Sequence, residues 1–207
     1  MKRFIKICGV TSLMDAKLVL NLGANAIGLN LYSKSPRKIS LETASKIYSM
    51  IDNKIQVFLV FVNEEDTKIK YCLERFPKAI PQFHGNETGE FCRSFKTSYV
   101  KAIGVDKDTN FRYIEKEFSD AKMLLLDNYD VKKYGGTGKS FDWKLVDNDL
   151  KIPYLLAGGI NISNVLEALN QTKCLGVDVS SSLESQVGKK DHEKVRNIIK
   201  TVRKSYE

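Results

Sequence analysis

Eight short apolar runs recur along the chain: FIKIC (4–8), AIGLNL (26–31), IQVFLVFV (55–62), AIPQFH (79–84), YVKAIGV (99–105), AKMLLLD (121–127), IPYLLAG (152–158) and CLGVDVS (174–180). Between most of them stands a polar segment, such as SLMDAKLVLNLG, SLETASKIYSMI, NEEDTKIKYCLERF or NISNVLEALNQT. Their apolar positions recur at three- and four-residue spacing, the period of an amphipathic helix. Ser12, Ser40, Asn63 and Asn161 stand where helix N-caps belong, and Gly23 where the first helix should end. Strands separated by helices pair in parallel, because each parallel neighbour needs a long crossover. Eight such units closing on themselves make a (β/α)8 TIM barrel, and 207 residues suit one domain of this kind spanning 1–207. The structural rival is an open doubly wound sheet. It would carry a G-x-G-x-x-G turn after its first strand, and CGVTSLMD is not one. Pro81 is the misfit, since proline gives no donor to a central ladder; it marks a strand start or a bulge.

Composition narrows the function. No apolar run approaches the ~18–20 residues that cross a bilayer, and MKRFIKICG has no uninterrupted apolar segment with a cleavage site. Cys8, Cys72, Cys92 and Cys174 are far apart with no C-x-x-C, which argues against a zinc site or a disulfide framework. A reducing, cytoplasmic location is the expectation. His84 and His192 are the only histidines, too few for a histidine-based metal site. The net charge of +8 comes from scattered lysines and arginines without a nucleic-acid motif. A small anionic substrate bearing phosphate or carboxylate is at least as good an explanation as nucleic acid, and a solvated lysine-rich surface explains most of the charge. Neither nucleic acid nor a membrane is the expected partner.

Strand parity then places polar groups. Side chains alternate along a strand, so if Ile5 and Ile7 face the helices, Phe4, Lys6 and Cys8 face inward. By the same parity Met123, Leu125 and Asp127 point in. A carboxylate at an inward position of an apolar strand is a poor choice for packing alone. Barrel active sites lie at the carboxyl ends of the strands, where the runs finish with Cys8, His84, Asp127, Gly158–Gly159, and Asp178 followed by Ser180 and Ser181. The loops after the seventh and eighth strands are the recurrent phosphate site of these barrels. Glycines let backbone N–H groups approach an anion there, with serine hydroxyls as further donors. YGGTGKSFDW (134–143) invites a nucleotide-binding reading, but the P-loop pattern needs glycine at position 133, which is Lys133. The segment reads instead as a mobile loop beside Asp127 that closes over a substrate.

These residues resemble one family closely, phosphoribosylanthranilate isomerase. The matching stretches are KICG (6–9), SPR (35–37), QFHG (82–85), LLLD (124–127), GGTGKSFDW (135–143), LAGGI (156–160), GVDVSS (176–181) and GKKDHEKV (188–195), in the family's order over nearly the whole chain. The resemblance implies a cofactor-free and metal-free Amadori rearrangement in tryptophan biosynthesis, converting N-(5′-phosphoribosyl)anthranilate to 1-(o-carboxyphenylamino)-1-deoxyribulose 5-phosphate. It implies Asp127 as general acid, Cys8 as general base and Arg37 as holder of the anthranilate carboxylate. The loops around Gly158–Gly159 and Ser180–Ser181 would hold the phosphate. Apart from the resemblance, His84 either lines the site or makes a structural hydrogen bond, and Asp178, inward by parity, either orients a substrate hydroxyl or makes a structural polar contact. His192 and Lys139 are left as surface or loop residues. The partner implied is a small anionic phosphosugar, with monomer and homodimer both open.

A free thiol titrates near ~8.5 and makes a usable base only where its surroundings lower that value; Lys6, on the same strand face, is the candidate for doing so. The chain departs from the family at Leu29 and Leu31, where aromatic residues are common in the second strand, and at Ser182, where glycine commonly follows the paired serines. The alternatives are a histidine-pathway phosphoribosyl isomerase and a non-catalytic basic binding barrel. Cys8 discriminates against the first, which typically carries aspartate at the end of its first strand. Cys8, Asp127 and Arg37 together speak against the second.

Overall fold

The alternating runs become eight parallel strands: β1 (Phe4–Cys8), β2 (Ala26–Asn30), β3 (Gln56–Phe61), β4 (Ile80–Phe83), β5 (Val100–Val105), β6 (Met123–Asn128), β7 (Tyr154–Leu156) and β8 (Gly176–Val179). A computed structural model describes residues 3–128, 140–147 and 149–205. The strands pair in sequence order, and β8 returns to β1 through Phe4↔Gly176 to Ile7↔Val179, which closes the barrel. Outside lie α1 (Leu13–Asn21), α2 (Leu41–Ile51), α3 (Asp66–Arg75), α4 (Gly89–Ser94), α5 (Phe111–Glu117), α6 (Val165–Gln171) and α7 (His192–Lys204). Between β8 and α7 the chain makes a short antiparallel hairpin, β9 (Glu184–Gln186) and β10 (Lys189–Lys190). The crossover from β6 to β7 differs from the others: its described residues form a 3-10 turn, Trp143–Leu145. Among the described residues no helix is long and apolar enough to cross a membrane.

Local chemistry explains the elements. Ser12 Oγ accepts from Asp15 N at the start of α1, and Ser40 Oγ accepts from Thr43 N at the start of α2. Gly23, at φ +77°, turns the chain out of α1. Two expected caps lie elsewhere. Asn63 Oδ1 accepts from Asn86 N in the next βα loop, and α3 starts behind Glu65 with no side-chain cap. Asn161 sits a turn ahead of α6, where its Oδ1 accepts from Ser163 N. A small side chain can serve a neighbouring loop as easily as its own helix, and spacing alone does not separate the two. Pro81 lies inside β4, paired with Leu59. His84 N donates to Phe61 O on β3, so by alternation the nitrogen of Pro81 faces β5. The β4–β5 pairing begins only at Gln82↔Val100, so the missing donor falls ahead of that ladder.

The parity of the strands divides the apolar residues into two layers. Ile5, Ile7, Leu124 and Leu126 pack outward with helix residues such as Val19, Ile47, Ile69 and Val195. Ala26, Phe58, Ile80, Val100, Met123, Leu125 and Leu155 fill the barrel, with Phe4 edge-on to Phe58 at 6.5 Å. Further along the same strands the inward residues turn polar: Lys6, Gln82, Asp127 and Asp178, all buried. The apolar plug thus occupies one end of the barrel and leaves chemistry to the other.

Closure at β1–β8 depends on Gly176, where an added Cβ would fall 1.8 Å from Phe4 O. Gly176→Ala is expected to cost about 3 kcal/mol by forcing these strands apart. Urea unfolding measures this; an unchanged midpoint would refute the seam as a point of close approach.

Candidate active site

A cavity of about 580 Å³ opens at the carboxyl ends of the strands, the size of many small-molecule sites. Its lining includes Cys8, Arg37, His84, Asp127, Gly158, Gly159, Asp178, Ser180 and Ser181, together with Asn30, Tyr32, Lys34 and Val60. All nine residues singled out from the sequence therefore meet around one space. Leu29 and Leu31 do not line it, because both face outward into the helix layer. Asn30 and Tyr32 are the side chains of that segment that reach the cavity. Lys139 and residues 129–139 of the loop after β6 lie outside the described residues. His192 is not merely a surface residue: its Nε2 lies 3.2 Å from Oδ1 of the buried Asp15, joining α7 to α1.

The thiol side is built on β1 and β8. Lys6 Nζ donates to Asp178 Oδ2 at 2.7 Å, and both side chains are buried. Gly28 on β2 gives the space, since a Cβ there would fall 2.5 Å from Cys8 Sγ and 3.1 Å from Lys6 Nζ. Burial pushes the Cys8 thiol up, the Lys6 ammonium pulls it down and the Asp178 carboxylate pushes it up, with a net rise above its ordinary value. The expectation that Lys6 leaves the thiol lowered is not met, because desolvation of the thiolate is the larger effect; Cys8 acts as a base only through its ionised fraction, which grows with pH. Lys6 itself is pulled down by burial, but Asp178 and Cys8 outweigh that and hold it above its ordinary value.

Across the mouth, Asp127 closes β6. Its Oδ1 accepts from Asn128 N at 2.7 Å, and its Oδ2 faces His84 Nε2 at 3.3 Å. The other ring nitrogen, His84 Nδ1, lies 3.1 Å from Gln82 Nε2. With Gln82 donating to Nδ1, Nε2 is the ring nitrogen that carries a proton and donates to Asp127. Gly158, at φ +66°, passes so close that a Cβ would fall 2.7 Å from Asp127 Oδ1. No other residue fits that turn without displacing the carboxylate.

The two anion-facing ends differ in character. At one, Gly158 and Gly159 run consecutively at φ +66° and +65°, and Asn161 Nδ2 and Asn164 Nδ2 both donate to Gly159 O at 3.0 Å. That ties down the carbonyl. Ser182 Oγ donates to Ile160 O at 2.5 Å, joining the loops after β7 and β8, while Ser180 Oγ donates to Cys8 O at 3.1 Å. The serine at the family's glycine position thus links the two loops. At the other end, Arg37 pairs with Glu184 through two hydrogen bonds, Nε to Oε1 at 2.7 Å and Nη2 to Oε2 at 2.8 Å. Lys190 Nζ completes the cluster 3.1 Å from Glu184 Oε1. Neither Glu184 nor Lys190 is singled out from the sequence. Glu184 is an acidic residue just past the serines of the eighth loop, with its arginine partner 147 positions away, and Lys190 lies in the family-like stretch GKKDHEKV without a role of its own. Among the described residues no group of three or more His, Cys, Asp or Glu is placed to hold a metal ion.

Lys6→Met removes the one cation hydrogen-bonded on the thiol's own strand face, so the Cys8 pKa is expected to rise further. Cys72, Cys92 and Cys174 are buried whereas Cys8 is partly exposed to the cavity, so the pH dependence of alkylation reports on Cys8. An unchanged value would rule out the influence of Lys6.

Residues 5–201 match the family model described as N-(5'phosphoribosyl)anthranilate (PRA) isomerase. The chain is 40% identical over 198 residues to the N-(5'-phosphoribosyl)anthranilate isomerase of Legionella pneumophila (strain Corby), covering 96% of each chain. Its fold is similar to the phosphoribosyl anthranilate isomerase of Thermotoga maritima, with a TM-score of 0.87, 35% identity, and coverage of 98% of this chain and 99% of that one. A further solved isomerase, in complex with reduced 1-(o-carboxyphenylamino)-1-deoxyribulose 5-phosphate, aligns with a TM-score of 0.84 at 34% identity over 98% of this chain and 99% of its own. An eight-stranded parallel barrel with its polar residues gathered at one mouth thus accompanies likeness over nearly the full length. The chain belongs to the N-(5'-phosphoribosyl)anthranilate isomerase family and is an isomerase.

Proposed function

We propose that this chain catalyses the Amadori rearrangement of N-(5′-phosphoribosyl)anthranilate in tryptophan biosynthesis, with Asp127 as general acid and Cys8 as general base. The observation that carries this is the presence of a thiol from β1 and a carboxylate from β6 in one cavity, with anion-facing groups at both ends. An internal redox isomerisation needs one acid and one base around the reacting carbons, and little else.

Asp127 delivers a proton to the furanose ring oxygen. The bond from that oxygen to C1′ breaks as the anilino nitrogen lone pair moves in, leaving an iminium at C1′. Cys8 then removes the proton on C2′; the pair of the broken C2′–H bond forms the C1′–C2′ double bond while the pair of the C1′–N double bond returns to nitrogen, giving the enolamine. Protonation at C1′ and loss of the 2′-hydroxyl proton give the ketone. Every proton removed is balanced by one returned, so the product is an isomer. His84, donating to Asp127 Oδ2, keeps that carboxyl aimed, and Gly158 leaves room for it. Asp178 orients a substrate hydroxyl, with its Oδ1 buried and without a hydrogen-bond partner. Arg37 takes the anthranilate carboxylate, and Gly158, Gly159, Ser180 and Ser181 take the phosphate. The partner in this reading is a small anionic phosphosugar. A single domain over 1–207 and a cytoplasmic location belong to the same reading.

Turnover of freshly made phosphoribosylanthranilate, followed by loss of its anthranilate fluorescence, tests this. Cys8→Ala and Asp127→Asn are each expected to lower kcat on the order of 10²–10⁴-fold. Full activity in either variant removes that residue from its role, and no turnover by folded wild type removes the reaction.

A further inference from the structure

The Arg37 end of the cavity holds charge that the reaction itself does not call for. Glu184 occupies one edge of the guanidinium, taking Nε and one Nη2 proton. The remaining donors, on Nη1 and the outer side of Nη2, are the ones left to receive a planar carboxylate. An anion paired so closely with a cation also cancels its charge, and would blunt the attraction of Arg37 for a second carboxylate.

Lys190 answers that cost. Its Nζ lies 3.1 Å from Glu184 Oε1 and 3.2 Å from Ser180 O, and its side chain is fully buried. It is absent from the cavity lining, so it does not itself touch a ligand there. Two cations against one carboxylate leave the cluster with a single net positive charge, the complement of one carboxylate. Burial pulls the Lys190 ammonium down, and Glu184 works against that pull. Burial pushes Glu184 up, but Arg37 and Lys190 outweigh it and hold it below its ordinary range.

The support is mechanical as well as electrostatic. Glu184 and Lys190 face each other across the β9–β10 hairpin. The hairpin is fastened to α1 and its loop, with Lys190 N donating to Asp15 Oδ2 at 3.3 Å and Thr11 Oγ1 donating to Gly188 O. Gly9 admits the arginine, since a Cβ there would fall 2.6 Å from Arg37 Cδ.

We propose that Glu184 and Lys190 are positioning residues that set the selectivity of this cavity for a ligand bearing an aromatic carboxylate: Glu184 fixes the plane of Arg37, and Lys190 restores the positive charge that Glu184 cancels. This rests on the reading of Arg37 as the carboxylate holder.

The test compares two stable probes by calorimetry: reduced 1-(o-carboxyphenylamino)-1-deoxyribulose 5-phosphate and the same compound without its carboxylate. Wild type binds the first more tightly. Lys190→Met is expected to shrink that preference about tenfold, with the affinity for the carboxylate-free probe nearly unchanged. Adding Glu184→Gln to Lys190→Met returns the cluster to one net positive charge and keeps one of the two acceptors for Arg37, so it is expected to recover part of the lost preference, the rest being lost with the second hydrogen bond that fixes the guanidinium plane. A purely structural role predicts the reverse: both probes weaken together, and the double variant is worse than the single. Either of those results overturns the proposal, as does a preference unmoved by Lys190→Met. Lys190→Gln, which keeps a donor for Ser180 O, carries the same comparison if the methionine variant fails to fold. Arg37→Met separates the two levels. Loss of the preference there with none in the Lys190 variants refutes only the role of Lys190, whereas retention of the preference refutes the carboxylate reading of Arg37.

Discussion

The ion pair between Lys6 and Asp178 lies where three demands of this molecule meet. It bridges β1 and β8, the strands whose pairing closes the barrel. It holds Asp178 with one oxygen engaged and the other buried without a hydrogen-bond partner. It also puts an ammonium and a carboxylate against the thiol of Cys8. Burying two charges costs several kcal/mol of solvation, and an apolar pair of equal volume would often be as stable. The pair is therefore better understood through the electrostatic setting it creates for Cys8 than through stability.

That setting is possible because the barrel interior is split along its axis. Phe4, Phe58, Ile80, Met123 and Leu155 form a dry plug, and only beyond it do inward positions carry charge. A low-dielectric floor strengthens every interaction above it. Thiol, carboxyl and guanidinium each come from a different βα unit, and each is steadied by a further polar partner: Lys6 for Cys8, His84 for Asp127, Glu184 for Arg37. Glycines at 9, 28 and 158 leave the space that these side chains require.

Much of this was legible in the sequence because it depends on period. Alternation along FIKIC and AKMLLLD was enough to turn Cys8 and Asp127 inward, and the three-to-four spacing of the helical segments implied parallel strands. The family resemblance then attached roles that parity alone does not supply. What stayed hidden depends on contacts between distant residues. Asn63 and Asn161 have the chemistry of caps but spend it on loops. Pro81 sits in a central strand because its neighbour's ladder starts one residue later. The hairpin carrying Glu184 and Lys190 has no apolar period to announce it, and its partners are set by the path of the chain over the barrel mouth. The net effect on Cys8 was hidden for another reason: a nearby lysine is visible in the sequence, but the desolvation that outweighs it is a property of the packed barrel.

The central claim is that the Cys8 thiolate is the base, and the pH dependence of kcat/KM in wild type beside Cys8→Asp tests it most directly. The account predicts a limb that rises with pH at the high side of the thiol range in wild type, where burial pushes Cys8, and that moves down towards the carboxylate range in the variant. A rising limb at the same pH in both proteins would contradict it, because the group titrating would then be one that the substitution had left in place.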